Sequence, residues 1–136
     1  MLNSQDVGAQ WRAGLEDLFF EHGVDLVFEA HQHTYERLWP TYRGKVFNGT
    51  KNPDNPYEQP GAPTHIVSGS VGCQEKLDKF GPPLGNWSAV RIPAYGYGHL
   101  TFFNASHAHW QQFFMPNRSV ADELWIVQNN HGPFHS

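Results

Sequence analysis

Two histidines, His31 and His33, stand two residues apart directly after an apolar run of the sequence. Imidazole is the commonest metal ligand among side chains, and this spacing lets both rings face one metal ion, or two adjacent ions, where a backbone leaves a strand. The ring nitrogen that does not bind a metal needs a hydrogen-bond partner to fix the tautomer. Glu29 and Glu36 flank the pair and are the predicted partners. The alternative is a pair of hydrogen-bonded loop histidines, because nine histidines bring such spacings together by chance.

The elements before the pair predict where it lies. Residues 24–28 are rich in β-branched and aromatic side chains and predict a buried strand. Residues 7–21 predict an amphipathic helix with Asp6 as N-cap and one apolar face, formed by Trp11, Leu15, Leu18 and Phe19. His22 and Gly23 are typical of a helix end. Ligands collect at the carboxyl ends of strands in α/β proteins, so this αβ unit would deliver His31 to such an end.

The rest of the chain predicts a strand-rich region. Strands are predicted at residues 41–47, 64–68, 87–92, 97–103, 107–114 and 121–128. A hairpin turn is expected at residues 104–106, and proline and glycine predict a surface loop at residues 48–63 and another irregular loop at 75–85. We expect the tail, residues 129–136, to be disordered.

Four further side chains have a functional and an ordinary interpretation. His65 could be an additional metal ligand, but alternation favours a solvated strand face. Tyr57 could touch substrate, although surface packing is the better prediction. His107 and His109 form a second pair at the same spacing, for which a polar sheet face is favoured over a metal site because no carboxylate or cysteine lies nearby in the sequence.

Composition excludes two classes of function. The formal charge is −4, with nine lysines and arginines against 13 acidic residues and no basic stripe, so nucleic-acid binding is not expected. The sequence contains no run of 18 apolar residues, and we therefore expect no membrane span.

The residues around the pair resemble a known family. The run from His31 to Arg37, His-Gln-His-Thr-Tyr-Glu-Arg, is similar to the last metal-ligand motif of the purple acid phosphatases, and the likeness is strongest to their animal long-form branch. It continues through short runs at residues 38–40, 46–50, 68–73, 75, 87–91 and 95–98. Ala30 replaces the glycine usual before the first histidine, which is tolerable only if the backbone there does not need a positive φ.

The resemblance implies a fold, an activity and a metal centre. The fold would be the C-terminal part of a metallophosphoesterase-type α/β sandwich, a mixed sheet with one clear N-terminal helix, in which residues 1–136 form the C-terminal portion of the catalytic domain. The activity would be phosphomonoester hydrolysis at a binuclear centre of iron and a divalent metal, which is zinc, manganese or iron. His31 would bind the divalent metal and His33 the iron, and residues 68–72 would pass close behind them.

The other ligand motifs of the family are missing. The chain contains no Gly-Asp, no Gly-Asn-His and no Val-x-x-His sequence, and two histidines cannot hold two metals at the short separation that two-metal catalysis requires. We therefore expect the remaining N-terminal part of the catalytic domain to supply the other ligands. Two alternatives stay open: a catalytically inactive truncated product, or an extracellular metal-binding module in which one further ligand such as His65 joins the pair.

Four sequons predict a secretory route, at Asn48, Asn86, Asn104 and Asn117. Their density, with the family resemblance, predicts a secreted, extracellular or lysosomal glycoprotein. The first residues lack the apolar core of a signal peptide, so we expect that signal upstream of Met1. The single cysteine, Cys73, has either a disulfide partner there or the role of a small buried apolar side chain.

Overall fold

The protein is described by a computed structural model that covers residues 12–47, 52–72, 74–82 and 85–135. Within these ranges the chain is mixed α/β, with one short α-helix and three sheets. The predicted fold class is confirmed.

The helical segment ends where the sequence predicts, but it packs against the protein with a different face from the predicted one. A π-helical turn, Arg12–Glu16, leads into helix α1, Asp17–Glu21. His22 is the C-cap and donates its N–H to the Leu18 carbonyl at 3.0 Å, and Gly23 follows with φ +64°. The predicted positions 7–11 and the Asp6 cap lie outside the described residues.

The apolar face predicted for this helix is wrong in its described part. Leu15 and Leu18 are 38% and 46% exposed, whereas Phe20 is buried. Phe20 stacks on Tyr42 with ring centroids 3.7 Å apart, and Asp17 accepts a hydrogen bond from the Tyr42 hydroxyl. The helix therefore lies against the short hairpin that carries Tyr42 with the face opposite to the one expected.

In the described ranges, nine strands follow the helix. They are β1 (Leu26–Glu29), β2 (Tyr35–Leu38), β3 (Thr41–Tyr42), β4 (Lys45–Val46), β5 (Thr64–Ser68), β6 (Ser88–Ile92), β7 (Gly96–Phe102), β8 (His107–Phe114) and β9 (Val120–Val127). The predicted strand at 41–47 is instead the β3–β4 hairpin, because Arg43 and Gly44 both adopt positive φ and turn the chain. The other predicted strands are confirmed to within one residue at their starts and ends, apart from the later start of β1 at Leu26.

The first large sheet is mixed and has the order β1-β5-β2-β6. Strand β1 pairs with β5 in parallel, and β2 pairs antiparallel with both β5 and β6. The connection from β1 to β2 must therefore pass over the end of β5. That connection carries His31 and His33.

The second large sheet is a meander of β7, β8 and β9, joined by tight turns. The hairpin predicted at residues 104–106 is confirmed: the Asn104 side-chain oxygen accepts hydrogen bonds from the backbone N–H groups of Ser106 and His107, both at 2.9 Å. On β8, Trp110 and Gln112 are buried on the inner face. His109 lies on the other face, stacked on Trp125 with centroids 4.4 Å apart.

The core lies between the two large sheets. Tyr35 and Ile66 from the mixed sheet, both fully buried, pack in one cluster with Trp110, Leu124 and Ile126 of the meander. Tyr57, from the long loop before β5, joins this cluster and is only 3% exposed. The predicted surface position of Tyr57 is therefore wrong, because its hydroxyl is a hydrogen-bond partner of the buried Arg37 side chain.

The described part of the tail lies against the body of the protein. His131 contacts Asp25 and the Ala105 carbonyl, with distances of 2.8 Å and 2.7 Å. Phe134 packs near Phe20, with ring centroids 5.5 Å apart. Disorder of residues 129–136 stays a prediction.

Among the described helices, none is long and apolar enough to span a membrane.

Candidate metal-binding loop

Residues 30–34 form the connection between β1 and β2, and it is held down on β5. The Thr34 carbonyl accepts a hydrogen bond at 3.0 Å from the N–H of Gly69, which is the first residue after β5. A Cβ added at Gly69 would lie 2.0 Å from the Gln32 carbonyl oxygen, well inside van der Waals contact. The resemblance placed residues 68–72 close behind this loop, and the structure gives Gly69 that position.

His31 has a left-handed backbone, with φ +77°. Such a φ is uncommon outside glycine and marks a position that its surroundings constrain. Ala30 does not share it, so the alanine is compatible with the local backbone. The positive φ turns the chain at the first histidine of the pair.

His33 contacts the segment 74–82, which follows the glycine-rich stretch after β5. Its backbone N–H donates to Asp78 Oδ2 at 2.8 Å, and its carbonyl accepts the Asp78 N–H at 3.2 Å. The ring Nδ1 lies 3.8 Å from Glu75 Oε2, and the side chain is 23% exposed. The backbone of the second histidine is thus fixed while its ring stays accessible.

The two carboxylates predicted to support the histidines have other partners in the structure. Glu29 Oε1 lies 2.9 Å from His65 Nδ1, and Glu36 Oε1 accepts from Arg91 Nε at 2.8 Å. The supporting role of Glu29 and Glu36 stays a prediction. The carboxylate found near the His33 ring is Glu75, which sequence reasoning did not single out; the only signal for it was its place in the resemblance.

Behind the loop, β2 carries a buried polar network that sequence reasoning also missed. Arg37 binds both oxygens of Asp122, and the Tyr35 hydroxyl donates to the same carboxylate at 2.7 Å. Trp110 Nε1 donates to the Tyr35 oxygen at 3.1 Å. Tyr57 completes the network through Arg37. Every polar side-chain group of β2 that faces the core therefore has a hydrogen-bond partner, as burial requires.

This network shifts the pKa values of its members. Burial, reinforced by Asp122, raises the pKa of Tyr35 far above its usual value. Burial raises the pKa of Tyr57 to about 12, against the opposing effect of the Arg37 charge. For Arg37, burial would lower the pKa, but the bonds to Asp122 raise it overall. The tyrosines are neutral and the arginine is charged throughout the physiological pH range.

The remaining histidines do not extend the pair. His65 is bound to Glu29, and His107 Nδ1 contacts the Ser106 hydroxyl at 2.8 Å. Across the described ranges, no group of three or more histidine, cysteine or acidic side chains is arranged to hold a metal ion. His31 and His33 supply the imidazole donors that zinc and iron accept, so the pair fits two ligand positions of a metal centre.

Two of the sequons lie in exposed turns with the same local geometry. Asn104 Oδ1 accepts from the Ser106 hydroxyl at 3.0 Å, and Asn117 Oδ1 accepts from the Ser119 hydroxyl at 2.7 Å. Asn86 is exposed in an irregular segment, and Asn48 lies outside the described residues.

The fold places the chain among the metallophosphoesterases. It superimposes on a purple acid phosphatase isolated from yellow lupin (Lupinus luteus) seeds with a TM-score of 0.72 and 25% sequence identity, over 83% of this chain and 19% of the lupin chain. The mixed α/β architecture is therefore that of a known class of hydrolase.

The sequence comparisons define the family. Residues 62–123 match the model of the iron/zinc purple acid phosphatase-like protein C family. The chain is 48% identical over 121 residues to acid phosphatase type 7 of Danio rerio, which covers 88% of this chain and 27% of that protein. It is 47% identical over 116 residues to acid phosphatase type 7 of Homo sapiens, covering 85% and 26%. The chain belongs to the purple acid phosphatase family and spans about a quarter of the length of these relatives.

Proposed function

We propose that this chain is the C-terminal part of an acid phosphatase that hydrolyses phosphomonoesters, in which His31 binds the divalent metal and His33 the iron of a binuclear centre. One observation carries the proposal: both histidines lie in a connection that is fixed on both sides, by Gly69 and by Asp78, while the His33 ring remains accessible. The names of the relatives, acid phosphatase and purple acid phosphatase, agree with this activity.

The residues of this chain would bind the metal ions and orient the imidazole rings that hold them. When bound, a pair of metal ions supplies Lewis acidity and an activated water for attack on phosphorus. The two imidazoles hold a fixed part of that centre, and the loop between β1 and β2 sets the direction of each ring. Because the described residues offer no third ligand, the remainder of the phosphatase domain would supply the others.

A chimera tests this function directly. Residues 12–135 would replace the matching region of the zebrafish relative, to which the chain is 48% identical. We expect the chimera to hydrolyse p-nitrophenyl phosphate, and His31→Ala or His33→Ala to reduce kcat by about 100-fold or more, as loss of a metal ligand does. His99→Ala, on β7, is the matched control and should keep full activity.

The opposite results reject the proposal. A folded chimera without activity would favour the inactive alternative for this segment. Equal activity in the chimera and in its His31→Ala and His33→Ala variants would remove both histidines from the metal centre. Metal content measured by mass spectrometry, together with the circular dichroism spectrum of each purified variant, separates loss of metal from loss of folding.

We also propose a secretory route, secreted or lysosomal, with N-glycans at Asn104 and Asn117, and with Asn48 and Asn86 as further acceptors. Support comes from the exposed turns in which each asparagine oxygen binds the hydroxyl of its own sequon. Enzymatic deglycosylation in ¹⁸O-labelled water should convert the occupied asparagines to labelled aspartates that peptide mass spectrometry detects. Unlabelled peptides covering all four sequons in protein from animal cells would contradict it.

A further inference from the structure

The segment 74–82 contacts both backbone polar groups of His33, the second histidine of the pair. Asp78 accepts the His33 N–H through Oδ2 at 2.8 Å and donates its own N–H to the His33 carbonyl at 3.2 Å. The two contacts span 45 residues of sequence. A carboxylate acceptor makes the first of them a charge-assisted hydrogen bond, which is stronger than a bond between neutral groups.

The neighbours of His33 are fixed by a second set of contacts, with Gly69. The Gln32 carbonyl lies against Gly69, so closely that a Cβ there would overlap it. Thr34 donates its N–H to Gln32 and accepts from Gly69. Gly69 and Asp78 therefore both contact the loop, and these contacts restrict the φ and ψ angles of His33.

The His33 ring faces a second acidic side chain of the same segment. Its Nδ1 lies 3.8 Å from Glu75 Oε2, within ion-pair range but longer than a hydrogen bond. A carboxylate on this side favours the tautomer with the proton on Nδ1, which leaves the Nε2 lone pair for a ligand.

The segment itself is anchored to the sheet. Arg91 on β6 donates to the Gly81 carbonyl at 3.2 Å and lies over the Phe80 ring at 5.2 Å. The same guanidinium binds Glu36 on β2. The Tyr95 hydroxyl contacts the Glu75 carbonyl at 3.4 Å. The two acidic side chains are thus presented to His33 from a braced segment.

We propose that Asp78 and Glu75 are positioning residues for His33: Asp78 fixes its backbone, and Glu75 selects the Nδ1–H tautomer so that Nε2 is the metal-binding atom. The inference rests on the proposed function, since it gives the role of the two residues in that same site. It concerns carboxylates other than Glu29 and Glu36, whose side chains bind His65 and Arg91.

The test uses ¹⁵N-labelled full chain without metal. In the wild type we expect a slowly exchanging His33 amide and a ring protonated on Nδ1 when neutral. Asp78→Ala should speed exchange of the His33 amide by about tenfold or more through local opening. Asp78→Asn, which keeps an acceptor oxygen, should have a smaller effect. Glu75→Ala should shift the ring towards the Nε2–H tautomer. Lys79→Ala and Lys76→Ala are the matched neighbours and should change neither signal.

Zn²⁺ binding is the second measurement. Asp78→Ala and Glu75→Ala should each weaken the affinity of the chain for Zn²⁺ by about tenfold, the lower end for loss of a supporting residue. A rapidly exchanging His33 amide in the wild type, or amide exchange and tautomer unchanged in the two alanine variants, would overturn the inference. Failure of the proposed function looks different: Zn²⁺ affinity would be unchanged by His33→Ala, while the amide and tautomer results would stand.

Discussion

The guanidinium group of Arg37 donates to both carboxylate oxygens of Asp122, from Nε to Oδ2 at 2.7 Å and from Nη2 to Oδ1 at 2.8 Å. The two side chains are only 10% and 9% exposed. They join β2, which begins directly after the histidine loop, to β9 of the meander. The pair therefore connects the sheet that carries the candidate site to the sheet that packs behind it.

Removal of the Asp122 carboxylate should be strongly destabilising. Asp122→Ala leaves the buried Arg37 charge and the Tyr35 hydroxyl without their acceptor, a change that typically lowers the free energy of unfolding by about 3–5 kcal/mol. Urea unfolding followed by circular dichroism measures it. Asp17→Ala, which breaks the exposed pair with Arg43, is the control and should have a much smaller effect. Equal losses in both variants would contradict a structural role for the buried pair.

Substitution of Gly69 should move the histidine loop. In Gly69→Ala the new Cβ would lie 2.0 Å from the Gln32 carbonyl oxygen, so the backbone on one side must shift. We expect large changes in the amide chemical shifts of residues 31–34 and a lower melting temperature. Gly81→Ala is the matched control, since nothing lies within 4 Å of its Cβ position and its φ is not positive. Unchanged shifts at His31 and His33 in Gly69→Ala would refute the close approach.

Tyr57 should make stability fall at alkaline pH. Burial raises its folded-state pKa to about 12, above the usual value of about 10. The neutral hydroxyl therefore stabilises the fold fully below about pH 10, and this contribution is lost as pH rises towards 12. Urea midpoints between pH 8 and pH 11 should fall less steeply in Tyr57→Phe than in the wild type. Tyr95→Phe should leave the wild-type slope unchanged; an equal change in both variants would assign the effect elsewhere.

The tail contact of His131 should weaken as pH rises. The hydrogen bond to the Ala105 carbonyl, followed by Asp25, raises the pKa of His131 above its usual value of about 6.5. The contact is therefore complete below about pH 6.5 and is lost as pH rises through the higher folded-state pKa. The protection factor of the Phe134 amide, which is the intrinsic exchange rate divided by the observed rate at the same pH, should fall above that pH. His131→Gln should abolish the pH dependence of this protection factor, and His135→Gln should retain it. A protection factor that does not change with pH in the wild type would contradict this role.

The elements were predictable where local patterns decide them. On β8, simple alternation puts Trp110 and Gln112 on the same face, and that face is buried. The helix ends at His22 and Gly23 because glycine tolerates the left-handed conformation that closes a helix. The Asn104 hairpin follows from the ability of an asparagine side chain to bind the backbone of its own turn.

What could not be predicted depends on contacts between distant segments. The Arg37–Asp122 pair joins positions 85 residues apart, and no local pattern indicates it. The same is true of Asp78, which reaches His33 only because the segment after β5 folds back over the histidine loop. Tyr57 was placed on the surface because its loop is rich in proline, yet its hydroxyl is bonded to the Arg37 side chain and to the Leu38 carbonyl, which hold it inside.

The connection from Glu29 to Tyr35 limits how far relatives of this protein can differ in length at this point. It must cross over β5, a span of about 10 Å between strands that are not neighbours, and it must deliver Tyr35 to the inner face of β2. An inserted or deleted residue that shifted β2 by one position would turn Tyr35 and Arg37 outward, because side chains alternate along a strand, and one placed between His31 and His33 would change their spacing. Relatives that keep this core should therefore differ in this connection by substitution and not by insertion or deletion. The length of the connection affects both the spacing of the histidines and the face that β2 presents to the core.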